Sequence, residues 1–130
     1  MARPRATILV VEDHAELRSM ILRMLTANGF AALEAANGAE GLALYQGHRE
    51  SIALAIVDMV MPGMSGLDLA ADLERQRPGM KILYISGHSA SIAMDVIARR
   101  SPEFVLPKPF TERQLVERLE LLLPASKGDP

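Results

Sequence analysis

The sequence predicts an α/β fold, five strand–helix units forming a five-stranded parallel sheet with helices on both faces. Short apolar, β-branched runs end abruptly in polar residues, as strands buried on both faces do. Between them lie stretches with apolar residues at helical spacing, and regular alternation of the two implies a parallel sheet. The length of 130 residues, 49% of them hydrophobic, suits one domain with one core.

Each element can be justified in turn. Residues 7–11 form a compact β-branched run that stops at Glu12-Asp13-His14. Leu17, Ile21, Met24 and Leu25 then recur at helical spacing, and Asn28-Gly29 supplies a C-cap. Residues 30–34 are a weak, alanine-rich strand candidate. Asn37 is the expected N-cap of a second helix ending near Gly47. Residues 51–57 are the next strong strand, ending at Asp58, and Ser65 caps a helix that stops before Pro78-Gly79. Residues 80–85 form a strand ending at Ser86-Gly87-His88, and Ser89 or Ser91 opens a helix running to about Arg100. Residues 104–106 are a short strand, and Thr111 with Gln114 fits a capping box opening a last helix that carries Leu115, Leu119 and Leu122. The chain is expected to be one domain over 1–130 with its core at about 7–123, a loose basic lead-in and a loose tail.

Composition narrows the function classes. A net charge of −2 argues against a nucleic-acid surface formed by this chain. With no cysteine there is neither a disulfide framework nor a thiolate site. No apolar run approaches the ~20 residues needed to span a bilayer. The run after Arg3 and Arg5 falls short of the ~7–15 apolar residues of a signal peptide. A cytoplasmic protein without membrane insertion is the expectation.

In a parallel sheet the carboxyl ends of the strands share one edge, where open α/β sheets bind ligands. That edge should gather Glu12 and Asp13 from the first strand, Asp58 from the third, Ser86 from the fourth and Lys108 after the fifth. Three close carboxylates repel one another, and a hard divalent cation relieves the conflict. Oxygen ligands with no His or Cys among the main candidates suit Mg²⁺, and since these oxygens suffice, His14 and His88 are not expected to be ligands. A cation and an ammonium beside a carboxylate form an arrangement for phosphoryl transfer, with Asp as the covalent acceptor. Ser86 and Lys108 would then meet the phosphoryl oxygens. Taken singly, Ser86 reads as a turn residue and Lys108 as a surface lysine; the ordered set carries the specificity.

Glu12-Asp13, Asp58 followed by Met61-Pro62-Gly63 and Gly66, Ser86-Gly87, and Lys108-Pro109-Phe110 together resemble the receiver domain of two-component response regulators. The resemblance covers about residues 7–123 and is similar both to receivers of hybrid histidine kinases and to single-domain regulators. It implies a flavodoxin-like doubly wound fold with strand order 2-1-3-4-5. It implies Asp58 as phosphoacceptor from a histidine kinase or histidine phosphotransfer protein, with uptake and slow loss of the group but no metabolic turnover. It implies Mg²⁺ on Glu12, Asp13, Asp58 and the backbone carbonyl of Val60, with Ser86 and Lys108 completing the site and a cis bond before Pro109. It also implies an unknown downstream protein, and a dimer or partner face formed by helix four, strand five and helix five.

One position departs from the family pattern. The family often carries an aromatic residue three places before the lysine, where this chain has Val105. Phe104 is one place earlier, and on a strand a shift of one residue points to the opposite face. Val60 and His88, two residues beyond Asp58 and Ser86, are expected to tune the lifetime of the phosphorylated form.

Three other classes fit the residues less well. A phosphohydrolase of the haloacid dehalogenase kind needs a second acid two residues after the nucleophile, and Val60 stands there. A nucleotide or flavin module needs a Gly-rich first turn, and this one is acidic. A degenerate receiver would bind partners without phosphorylation, yet all five main site positions are present.

Overall fold

The computed structural model describes residues 4–87 and 92–123, with residues 92–94 traced by backbone alone. Strands β1 (Thr7–Val11), β2 (Ala31–Ala35), β3 (Ile52–Asp58), β4 (Ile82–Ser86) and β5 (Val105–Pro107) form one sheet. They alternate with helices α1 (Ala15–Ala27), α2 (Gly38–His48), α3 (Gly66–Gln76), α4 (Ile92–Arg100) and α5 (Glu112–Leu122). The sheet order is β2-β1-β3-β4-β5 and every pairing is parallel, so the fold is the expected flavodoxin-like one. None of the described helices is long and apolar enough to cross a membrane.

Alternate residues of the central strands face opposite sides of the sheet, as their pleat requires. One side collects Leu9, Val11, Ala55, Val57, Ile82, Tyr84 and Val105 against Tyr45 of α2 and Leu69 and Leu73 of α3. The other collects Ile8, Val10, Leu54, Ile56, Leu83, Ile85 and Leu106 against Ile21 and Leu25 of α1 and Leu115 and Leu119 of α5. Two cores back to back explain why the strands read as continuous apolar runs.

Several strands begin later than the sequence predicts, because the preceding helix or turn claims the first residue. Phe30, expected in β2, instead donates its N–H to the Leu25 carbonyl at 3.0 Å while Gly29, at φ 87°, donates to Thr26. That is a Schellman ending, and Phe30 and Leu25 pack in the same core, as the motif favours. Ser51 is taken by a turn onto His48, and Met80 by a turn onto Arg77. Phe104 is also not in a strand: Pro102–Phe104 is a 3-10 turn closed by the Phe104 N–H on the Ser101 carbonyl. Phe104 still lies on the opposite side from Val105, as expected: its side chain packs from this turn against the α1/α5 core, whereas Val105 lies in the α2/α3 core.

Helix starts agree with their caps. Asn37 and Ser65 accept the backbone N–H of Glu40 and Asp68, and Thr111 and Gln114 form the reciprocal capping box. The Ser89 or Ser91 start of α4 and the tail beyond residue 123 lie outside the described residues. Arg5, expected in a loose lead-in, is held instead. Its N–H donates to the Gly29 carbonyl, its guanidinium lies 4.6 Å from the Phe30 ring centroid, and it pairs with Glu120 of α5 at 2.8 Å.

Candidate functional site

β1, β3, β4 and β5 are consecutive in the sheet, so their carboxyl ends lie side by side at one edge. Glu12 follows β1 and is fully buried, Asp58 closes β3 at 2% exposure, and Ser86 closes β4 at 7%. Among the described residues these are the buried polar ones of an otherwise apolar interior, and the burial of charged groups demands partners.

The partners are specific. Lys108, carried in by β5, places Nζ 3.1 Å from Asp58 Oδ2 and 3.4 Å from Glu12 Oε1. Its own N–H donates to the Ser86 carbonyl at 2.7 Å, which ties the lysine to the end of β4. The Lys108–Pro109 peptide bond is cis. Asp58 Oδ1 accepts the Val60 N–H at 3.0 Å. Glu12 Oε2 accepts the His14 N–H at 3.1 Å, and Arg18 of α1 anchors the Glu12 carbonyl at 2.8 Å. Ser86 donates its hydroxyl to the Gly87 carbonyl at 3.3 Å, a long and weak bond.

The electrostatics follow from this crowding. Burial pushes the Glu12 carboxyl up to about 7, with the adjoining Asp58 carboxylate adding to the rise and the His14 N–H and Lys108 opposing it. Burial alone would lower the Lys108 ammonium, but bonding to Asp58 and the charges of Asp58 and Glu12 outweigh it and hold it above the ordinary lysine value. Glu12 Oε1 and Asp13 Oδ1 are buried and accept no hydrogen bond among the described residues. One oxygen each from Glu12, Asp13 and Asp58, together with a ring nitrogen of His14, lie within 4.8 Å of one another. Orphaned carboxylate oxygens converging on one point are what a divalent cation needs.

The floor of the site is set by glycine. A β-carbon on Gly66 would fall 2.5 Å from the Asp58 carbonyl oxygen and 2.8 Å from the Met59 α-carbon. α3 therefore begins directly against the backbone of the acceptor strand, with the Gly66 N–H on the Met59 carbonyl at 3.2 Å. Farther along the same loop, the Met64 side chain fills the space where Gly38 of α2 has no side chain.

Comparison with known proteins decides the family. A family model, the response regulator receiver domain, matches residues 8–120. The chain belongs to the response regulator receiver domain family. It is 34% identical over 120 residues to the response regulator receiver protein CpdR of Brucella abortus, covering 92% of this chain and 98% of that protein. It is 34% identical over 122 residues to the sensor kinase CckA of the same organism, covering 91% of this chain but 12% of the kinase. It spans 53% and 48% of two transcriptional regulatory proteins that it also matches. Among solved structures, a response regulator receiver domain protein from Clostridium thermocellum superposes with a TM-score of 0.80 at 28% identity, covering 90% of this chain and 93% of that one.

Receiver domains bind Mg²⁺ at an acidic pocket, and this receiver has the corresponding acidic cluster. The structure brings Glu12, Asp13, Asp58 and Lys108 together, with Ser86 at the adjoining strand end. The Val60 side chain is 58% exposed. His88 lies outside the described residues. Val105 is buried at 5% in the α2/α3-side core.

Three features of this receiver escape sequence reasoning. The aromatic residue absent at 105 has a neighbour in Tyr84, its register partner on β4, buried in the same core. Tyr84 lies on the face of Ser86, two residues on, and burial, helped by Glu74, raises its phenol above the ordinary value. Arg18 fixes the Glu12 backbone from α1, a contact that no pattern in the sequence announces. Finally, Leu17, Met20, Gly87, Lys108, Pro109 and Phe110 line an open, largely apolar groove of about 440 Å³ beside the lysine. Its walls come from elements about 90 residues apart, so no local pattern announces it.

Proposed function

We propose that this receiver takes a phosphoryl group onto Asp58 from the phosphohistidine of a histidine kinase or histidine phosphotransfer protein. The observation that carries the reading is Lys108 held between Asp58 and Glu12 at the carboxyl edge of the sheet. An oxygen of Asp58 attacks phosphorus, the P–N bond breaks, and its electron pair returns to the imidazole nitrogen. Lys108, already 3.1 Å from Asp58, pairs with a phosphoryl oxygen as charge arrives there. Ser86, whose hydroxyl is held only by a 3.3 Å bond to Gly87, turns to donate to another.

Mg²⁺ fits the donor set: Glu12, Asp13 and Asp58 offer carboxylate oxygens, two of their buried atoms lack hydrogen bonds, and the Val60 carbonyl completes the set. A bound divalent cation supplies charge neutralisation on the phosphoryl oxygens. We place the reaction in the cytoplasm. Phosphorylation would switch the binding of a downstream protein or of a second copy through α4, β5 and α5, where Val96 and Leu121 are exposed apolar residues. Self-phosphorylation and slow hydrolysis are the only chemistry in this reading.

A small phosphodonor such as phosphoramidate tests it. The intact protein with Mg²⁺ should gain about 80 Da, borohydride should release that phosphate and leave homoserine at position 58 as read by peptide mass spectrometry, and Asp58→Asn should show neither change. Sustained turnover of phosphate esters would instead point to a phosphohydrolase, for which the exposed apolar Val60 offers no proton-transfer group.

A further inference from the structure

His14 is a residue at the mouth for which the phosphoacceptor reading has no task. It occupies the N-cap position of α1, yet its side chain makes no capping hydrogen bond. The ring turns back over the acidic cluster instead. Its Nδ1 lies 3.3 Å from Glu12 Oε2 and 3.5 Å from Asp13 Oδ1, while 72% of the side chain is exposed. The ring is thus poised at the rim, with its nitrogen aimed inward.

Two further observations give that nitrogen a ligand to share. Glu12 is fully buried, and its Oε1 accepts no hydrogen bond, its charged neighbour being Lys108 at 3.4 Å. The four ligand atoms of Glu12, Asp13, His14 and Asp58 all fall within 4.8 Å of one another. Ligands on one ion at bonds of about 2.1 Å lie at most roughly 4.2 Å apart, so only small side-chain adjustments separate this group from a coordination set. The charge count agrees: three carboxylates and one ammonium leave two negative charges, which a divalent cation balances with a neutral imidazole.

We propose that His14 Nδ1 is a fifth protein ligand, beside Glu12, Asp13, Asp58 and the Val60 carbonyl, to the divalent cation held at Asp58, and that it shifts this receiver's preference from Mg²⁺ toward borderline transition ions such as Mn²⁺ and Co²⁺. The proposal rests on the cation-site reading above. The physical basis is ligand type. Mg²⁺ takes oxygen ligands and sheds water reluctantly, so an imidazole adds little to its binding. Imidazole binds later first-row ions well, and affinity rises from Mn²⁺ to Co²⁺ along the divalent series. An all-oxygen acidic pocket would discriminate less between these ions. In the other role open to the ring, a neutral Nδ1–H donates to Glu12 Oε2 at 3.3 Å, the nitrogen takes no cation, and its loss would affect both ions alike.

Two measurements on the full chain test this. The first is pulsed electron paramagnetic resonance on the Mn²⁺-loaded protein. We expect nitrogen-14 modulation of the imidazole kind in the wild type, in His48→Ala and in His88→Ala, and its loss in His14→Ala. The second is calorimetric titration with Mg²⁺ and Co²⁺. His14→Ala should weaken Co²⁺ binding tenfold or more while changing Mg²⁺ binding less than twofold, and His14→Gln should behave like His14→Ala. Modulation that is absent from the wild type, or that persists in His14→Ala, overturns the proposal. So does an equal change for both ions. If the wild type binds neither ion, or binds them equally well after Asp58→Asn with Asp13→Asn, the cation-site reading fails as well. That outcome is distinguishable because it does not depend on residue 14.

Discussion

The Lys108 ammonium and the Asp58 carboxylate are 3.1 Å apart, and the same ammonium reaches Glu12 at 3.4 Å. One positive charge therefore serves two buried carboxylates, and its removal should have two opposite effects. Lys108→Met leaves the cluster more negative, so Mg²⁺ should bind severalfold more tightly by calorimetry. The same change removes the group that meets the phosphoryl oxygens, so phosphorylation by phosphoramidate should slow by about 10²-fold or more. Parallel losses of both would mean that the lysine acts only through folding.

Glu12 makes stability depend on pH in an uncommon direction. Its pKa rises from 4.5 to about 7 on folding, so between those values the folded chain holds a proton that the unfolded chain has lost. The contribution is fully present below about pH 4.5 and is lost as pH rises through 7. Urea unfolding without divalent cations should therefore show stability falling by on the order of 1–3 kcal/mol over that window. Glu12→Gln should flatten this part of the profile. A cation needs Glu12 ionised, so stabilisation by Mg²⁺ should grow with pH over the same range.

Gly66 and Gly63 predict a contrast between lack of space and backbone strain. At Gly66 a β-carbon would meet the Asp58 and Met59 backbone, which has no flexible end to yield. Gly66→Ala should cost about 1–3 kcal/mol in urea unfolding and displace the Asp58 amide resonance. Gly63 sits at φ 79° with nothing near its absent side chain. Gly63→Ala should cost about 1 kcal/mol, through the left-handed backbone alone, and leave the Asp58 resonance in place.

Tyr84 and Val105 are register partners, and their volumes should be interchangeable across the two strands. Val105→Phe alone should overpack that region and destabilise by about 1–3 kcal/mol. Combined with Tyr84→Ala it should recover at least half of the loss, a coupling that a double-mutant cycle measures directly. Additive losses would show that Tyr84 does not occupy the space an aromatic at 105 would take.

Much of this site was legible because polarity punctuates the strands. Glu12, Asp58 and Lys108 each follow an apolar run, and the parallel sheet turns that linear fact into convergence at one edge. Helix caps were equally readable, since Asn37, Ser65 and Thr111 act within three residues of themselves. Strand starts were less so, because the helix ending at Leu25 takes the Phe30 N–H and the Ser101–Phe104 turn takes Phe104. Apolar composition cannot say which backbone bond wins. Tyr84 was illegible for a related reason: all five residues of β4 are buried, so no alternation reveals which face each side chain uses. The groove beside Lys108 needs α1 and the segment after β5 at once, and only the folded chain supplies both.

The Met64 side chain, lying in the space left by Gly38, gives the fold a paired constraint. A β-carbon at 38 would come within 2.7 Å of the Met64 sulfur, so a larger residue there requires a smaller or redirected one at 64. The two positions are 26 apart in sequence, one in α2 and the other in the loop before α3, yet neither can drift freely without the other. Among relatives of this chain, residue size at these two sites should vary inversely, a statistical trace that a family alignment would display.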